Sequence, residues 1–377
     1  MKLVSCLVVI FALVSCNKRE NSMAEPVATV PSFEIKYAEG FSMTPYEGCK
    51  LVEVNYPYQG AKHGYKYLLV PKGHAVPAHT EDIRVITTPL ESIVCTSTTH
   101  IPLLDYIHET DKLVGYPSLD YISSEKMRKR IDAGKVKELG VDSHLNLELL
   151  TVLKPSAVMG YTMSSDYGQF KKIEELGMPV IINSEYLERH PLGRAEWIKF
   201  MAFFFDQEKR ADSVFQVIEK NYNDIHLQTE HASIKPTVLS GIVYGDGWFL
   251  PGGQNYAARL FKDAGCQYLW ASDSSHGYLE LSFESVYNTA NQADLWIGVG
   301  AFNTLKEIED EDHRYAKFKA FHDKKVYTYN GRKGAKGGSE FLELGYLRPD
   351  LVLKDLVMIA HPDIFPHDTL YFHKKLD

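Results

Sequence analysis

Between Arg194 and Lys235 the chain contains neither glycine nor proline. Nothing in that stretch interrupts a helix, and residues 207–231 also carry the right periodicity. Ala211, Phe215, Ile218, Tyr222 and Ile225 recur every three or four positions and fall on one helical face. Glu208, Lys209, Arg210, Asp212, Glu219, Lys220 and Asp224 occupy most of the remainder, so one side should meet water. Asp206 is the expected N-cap and Pro236 the stop. At about 1.5 Å per residue, such a helix reaches roughly 40 Å, about one domain width. A chain built on it must place folded material at both ends.

The flanking halves repeat one grammar. On the N-terminal side, residues 92–95, 112–116, 157–160 and 178–182 are short apolar runs. They alternate with helical stretches at 102–110, 146–154 and 166–176. On the C-terminal side, the runs at 237–244, 294–300 and 325–329 alternate with helices at 255–264, 281–287 and 350–360. A loop at 245–249 follows the first of these runs and carries Trp248. Strand, turn, helix and strand in succession predict parallel sheets. The fold class is therefore α/β: two Rossmann-like lobes with parallel sheets, joined by one long rigid helix. A β-rich appendage precedes them, with strands at 50–55 and 65–70 around a turn at 60–64. The expected divisions are 33–80 for the appendage, 81–206 for the first lobe, 207–232 for the linking helix and 233–377 for the second lobe. The first lobe is expected to open on a strand at 84–87.

The first sixteen residues read as a targeting segment. Lys2 precedes a run of about 12 apolar residues, too short to span a membrane. It closes on Leu13-Val14-Ser15-Cys16, which resembles a bacterial lipobox with Cys16 as the lipidated residue. Residues 17–32 would be a tether. Beyond Cys16 only Cys49, Cys95 and Cys266 remain, too few and too dispersed for a disulfide framework. A net charge of −8 argues against nucleic acid as a partner.

The runs VCTSTTHIPLLDYIHETDKLVG and NLELLTVLKPSAVMG resemble the first strand-loop-helix and the helix-then-strand of substrate-binding proteins of ABC importers for cobalamin and ferric siderophores. GGQNYAARLFKDAGCQYLW, LSFESVYNTANQADLWIG and RPDLVLKDLVMIAHPDIFP are similar to that family's second lobe. The resemblance spans roughly residues 84–366 and lies in the order of the motifs. Ser156 stands where the family's Lys-Pro-Asp turn has its acid, and residues 33–77 lie outside the pattern.

The resemblance implies a periplasmic, membrane-anchored monomer that passes a chelated ligand (cobalamin, a ferric siderophore or haem) to an inner-membrane permease. No cofactor and no catalysis are expected. Each lobe would present a glutamate to permease arginines: Glu148, in Asn146-Leu147-Glu148, and Glu284, in Ser282-Phe283-Glu284. A carboxylate in a helix's first turn also offsets the helix dipole, and the two roles are compatible. Ligand would sit at the carboxyl ends of the strands. Candidates there are Ser97, Thr98, Thr99, His100, Tyr116 and Tyr161 from the first lobe. The second lobe offers Tyr244, Trp248, Phe249, Phe302 and Arg332.

Two other readings were open to the sequence. Direct binding of Zn²⁺ or Mn²⁺ needs three or four convergent ligands, and only His100 is suitably placed. An α/β enzyme would be expected to carry a nucleophile elbow, a P-loop or a dinucleotide fingerprint, and none occurs. The basic glycine-rich stretch 331–338 reads as a mobile loop at the cleft mouth.

Overall fold

None of the thirteen side chains of the helix Pro191–Phe203 is exposed to water. Leu192, Ala195, Trp197, Ile198, Phe200, Met201 and Phe203 make it apolar all round, which is the signature of a buried helix. Its charged members are paired rather than exposed, because an unpaired buried charge is costly. Lys199 Nζ lies 2.9 Å from Glu196 Oε1 and 3.3 Å from Asp212 of the next helix. Glu196 in turn accepts the backbone amides of Lys36, Tyr37 and Ala38. Glu188, just upstream, accepts those of Glu39 and Gly40. Two carboxylates thus hold five successive amides, and Phe41 then packs against Trp197 and Phe200.

This computed structural model describes residues 34–230 and 232–377. Cys16 and the tether 17–32 lie outside the described residues. The long helix spans Glu208–Thr229, and Ala211, Phe215, Ile218 and Tyr222 form its buried stripe as the spacing predicts, with Ile225 half-buried. It packs against both Pro191–Phe203 and the closing helix Pro349–Ala360. Its start differs from expectation. Asp206 is not the cap: its backbone is left-handed at φ 55°, and its carboxylate pairs with Lys50 Nζ at 2.7 Å. Gln207 holds the cap position without a side-chain bond.

The first lobe carries a five-stranded parallel sheet in the order Val180–Ile182, Ala157–Gly160, Ile93–Cys95, Leu113–Tyr116, Lys137–Glu138. The second carries Gln267–Tyr268, Thr237–Ser240, Leu295–Ile297 and Val326–Thr328 in parallel, with Lys374–Lys375 antiparallel at the edge. The central strands of both are buried apolar runs, as expected for sheets covered on two faces.

Two strand readings are corrected. Ile83–Thr88 does not open the first-lobe sheet. It pairs in parallel with Tyr65–Pro71 and completes a four-stranded N-terminal sheet with Phe41–Tyr46 and Cys49–Val54. The expected run 237–244 breaks at Gly241, whose φ is +78° and where a Cβ would lie 1.8 Å from the Phe249 carbonyl oxygen. Ile242–Tyr244 therefore leaves the parallel sheet and forms an antiparallel one with Gly247–Pro251 and Tyr278–Leu281.

Candidate functional site

A cavity of about 600 Å³ opens at the carboxyl ends of the first-lobe strands. The turn after Ile93–Cys95 contributes Thr96, Ser97 and Thr98, and the loop after Leu113–Tyr116 contributes Tyr116, Pro117, Ser118 and Tyr121. Tyr161 follows Ala157–Gly160. Val141, Asp142 and Ser143 come from the tight hairpin of Gly140–Val141 and His144–Leu145. The second lobe adds Ser339 and Leu342 from the helix Glu340–Leu344 and its cap. The lining is mostly hydroxyl, with Tyr121 (65% exposed), Val141 (53%) and Leu342 (51%) as its exposed apolar members.

The polar groups are held by local bonds. Tyr161 Oη donates to Asp142 Oδ2 at 2.8 Å, and Ser97 Oγ lies 2.8 Å from Thr99 Oγ1. Burial raises the Tyr161 phenol's pKa, with the Asp142 hydrogen bond acting in the same direction, and burial also raises that of Tyr116. Both therefore stay neutral near physiological pH. Thr96 Oγ1 is buried with no partner among the described residues.

The segment from Gly331 to Leu342 is not a free loop at the cleft mouth. A Cβ at Gly334 would sit 2.5 Å from Ser123 Cα, and one at Gly338 would sit 2.2 Å from the Tyr121 carbonyl oxygen. The absence of side chains lets this strap lie directly on the first-lobe loop that lines the cavity. Glu343 accepts the amides of Ser123 and Ser124 at 2.5 and 3.1 Å. Burial pushes its carboxyl up to about 7. Nearby, the Arg194 guanidinium stacks against the second-lobe rings of Tyr256 and Tyr346, with centroids at 3.9 and 4.2 Å.

Four of the expected first-lobe residues meet in this cavity: Ser97, Thr98, Tyr116 and Tyr161. Thr99 instead donates to the buried Glu185, whose carboxyl burial pushes up to about 7. His100 is fully buried in the helix His100–Tyr106, and desolvation lowers its pKa to about 3, so the ring is neutral. Neither lines the cavity.

The second-lobe expectations fare differently. Trp248 is 0% exposed, packed on Trp296, Tyr315, Phe318 and Phe283, with its Nε1 donating to the Ser240 carbonyl at 3.0 Å. It is a core residue, not a ligand platform. Tyr244 and Phe249 stand exposed on the outward face of the antiparallel sheet, their rings 6.3 Å apart. Phe302 is half-buried after its strand, outside the cavity lining. Arg332 is tied to the C-terminal segment, donating to the Tyr371 carbonyl at 3.0 Å and stacking on its ring. The sequence reading missed the other nine lining residues, among them Thr96, Tyr121, Val141, Asp142, Ser339 and Leu342. Glycine at 140 before a polar pair, and Ser339 three residues ahead of Leu342, were the available cues.

Glu148 is exposed in the first turn of Leu147–Leu153, which Asn146 caps by accepting from Leu149 N at 2.9 Å. Glu284 holds the same place in Phe283–Ala290, which Ser282 caps, and it meets Arg314 at 3.2 Å. Among the described residues no group of three or more His, Cys, Asp or Glu is placed to hold a metal ion.

An uncharacterized lipoprotein of Methanocaldococcus jannaschii is 26% identical over 364 residues, covering 90% of this chain and 85% of the relative. A second lipoprotein of that organism is 26% identical over 371 residues, covering 94% and 90%. Among solved structures, the CeuE protein of Helicobacter pylori, in a complex with nickel and histidine, is similar at a TM-score of 0.56 and 18% identity. That match covers 74% of this chain and 86% of that one. The periplasmic heme-binding protein RhuT of a Roseiflexus species gives 0.53 and 16%, covering 72% and 98%. The periplasmic binding protein profile matches residues 93–332, more than half of the chain, which therefore belongs to the periplasmic binding protein family.

Proposed function

We propose that this protein captures a chelated-metal small molecule of the ferric-siderophore or cobalamin type between its two lobes and delivers it to an inner-membrane ABC permease. Anchoring would be through Cys16, and Glu148 and Glu284 would dock on the permease. The cavity carries this reading. It lies at the carboxyl ends of parallel strands, joins hydroxyl donors to the exposed apolar surface of Tyr121, Val141 and Leu342, and has a second-lobe strap across it. Its volume of about 600 Å³ suits a compact siderophore chelate better than a whole cobalamin.

Haem is the second reading, supported by the tyrosines of the lining and the heme-binding relative in fold.

All three ligand types are coloured, so purified full-length protein in detergent is titrated with a ferric trihydroxamate, a corrinoid and haemin. At least one is expected to bind below about 10 µM, or about −7 kcal/mol. Binding by none of them overturns the proposal. Replacing Cys16 with alanine should move the protein out of the membrane fraction.

A further inference from the structure

The charge of the cavity lining is one-sided. Asp142 is its ionisable carboxyl group, and among the described residues no lysine, arginine or histidine side chain contributes to it. The basic residues in its neighbourhood stand outside it, Arg194 among them, held by the carbonyls of Tyr186 and Glu188. Lys333 and Lys336 are exposed residues of the strap. Arg128 is held by Asp120 and the Leu119 carbonyl. His144, beyond the hairpin tip, reaches only Ser143 Oγ, at 3.1 Å.

The Asp142 carboxylate takes one donor, the Tyr161 hydroxyl. A carboxylate can accept up to about four, so capacity remains for a donor on the ligand. Thr96, which lines the same cavity, has a buried Oγ1 with no partner among the described residues. The other lining oxygens are neutral hydroxyls.

Such a surface penalises an anion twice. The anion loses hydration without gaining a cationic partner, and it faces a like charge in a partly enclosed site where screening is weak. A cation or a neutral donor loses less and gains the carboxylate.

We propose that Asp142 makes this cleft select chelates that are neutral or cationic on the face they present to it, and reject polyanionic chelates. The inference rests on the capture of a chelate proposed above.

The test compares three ferric chelates by fluorescence quenching on purified full-length protein. They are a trihydroxamate carrying a pendant ammonium group, a neutral cyclic trihydroxamate and a trianionic tris-catecholate. The expected order is cationic, then neutral, with the tris-catecholate weakest by about a hundredfold or more. Asp142→Asn keeps an acceptor for Tyr161 and removes the charge. It should cost the cationic chelate about tenfold and leave the neutral one within about threefold. Ser143→Lys, at the exposed hairpin tip, should raise affinity for the tris-catecholate. Equal or tighter binding of the tris-catecholate by the unaltered protein overturns the charge selection and leaves capture standing. Binding of none of the three overturns the charge selection, and the corrinoid and haemin titrations above then decide whether capture stands. An unchanged preference in Asp142→Asn also overturns the assignment.

Discussion

Glu343 of the second lobe and Ser123 of the first are joined by a buried hydrogen bond, from the Ser123 amide to Glu343 Oε2 at 2.5 Å. The other carboxylate oxygen takes Ser124 N at 3.1 Å, at the start of the helix Glu125–Asp132. One side chain therefore caps a helix belonging to the opposite lobe. Replacing Glu343 with alanine strands the buried Ser123 amide, at a cost of about 1–3 kcal/mol. Thermal melting near pH 6 should show the loss. Hydrogen exchange at Ser123 and Ser124 should accelerate while the first-lobe sheet stays protected. Unchanged exchange at those amides would show that the contact does not hold the lobes.

The same residue gives a pH dependence. Burial raises Glu343 from an ordinary 4.5 to about 7, with Glu340 adding to the rise and the Ser123 and Ser124 bonds opposing it. Because the folded value lies above the unfolded one, the contribution is complete below about pH 4.5 and is lost as pH rises through about 7. Glu185, buried beside Thr99 and also pushed up to about 7, acts in the same direction. Buried His100 and half-buried His190, lowered by desolvation to about 3 and about 4, act the other way as pH falls through 6.5, so the Glu343 share is read as the difference between the unaltered protein and Glu343→Gln. Glu343→Gln should remove that share and leave the share of Glu185. Melting temperatures of the two proteins from about pH 5.5 to about pH 8 decide it: the unaltered protein should lose more stability over that rise than Glu343→Gln, and an equal or smaller loss would contradict the assignment.

Trp248 and Leu342 should separate folding from binding. Truncating fully buried Trp248 to alanine is expected to cost about 3–5 kcal/mol in urea unfolding. Leu342→Ser, at a half-exposed rim position, should leave stability within about 0.5 kcal/mol. It should weaken chelate binding by about tenfold, or about 1.4 kcal/mol. A stable Trp248→Ala protein that had lost its ligand would restore the platform role expected from sequence.

The two capped glutamates test delivery. Glu148 has no protein partner among the described residues, whereas Glu284 already meets the exposed Arg314. An exposed pair of this kind is weak and easily exchanged for a permease arginine. Glu148→Lys combined with Glu284→Lys should abolish uptake in cells while ligand affinity in the purified protein stays within about twofold. Lost affinity would mean the residues act on the cleft instead.

What could be read from sequence was what repeats locally. The stripe of Ala211, Phe215, Ile218 and Tyr222 needs only helical spacing, and the alternating apolar runs needed only their length. Ser97, Thr98, Tyr116 and Tyr161 were reachable because each follows a strand. The failures have a common cause in distant contacts. Trp248 looked like a loop aromatic until Gly241 was seen to let the Phe249 carbonyl press in and turn the strand away. Pro191–Phe203 is apolar enough to be read as buried, but how it buries Arg194, Glu196 and Lys199 rests on distant partners at 36–38, Asp212 and Tyr346. Asp142 sits in a hairpin of two-residue strands with no period to read.

The five amides held by Glu188 and Glu196 set a limit on trimming the chain. A soluble form that starts at residue 35 keeps every donor in that clamp. One that starts at Phe41, the first residue of the β-sheet and an inviting place to cut, would leave two buried carboxylates facing no amide at all. It would be expected to misfold even though no strand, helix or cavity residue had been removed.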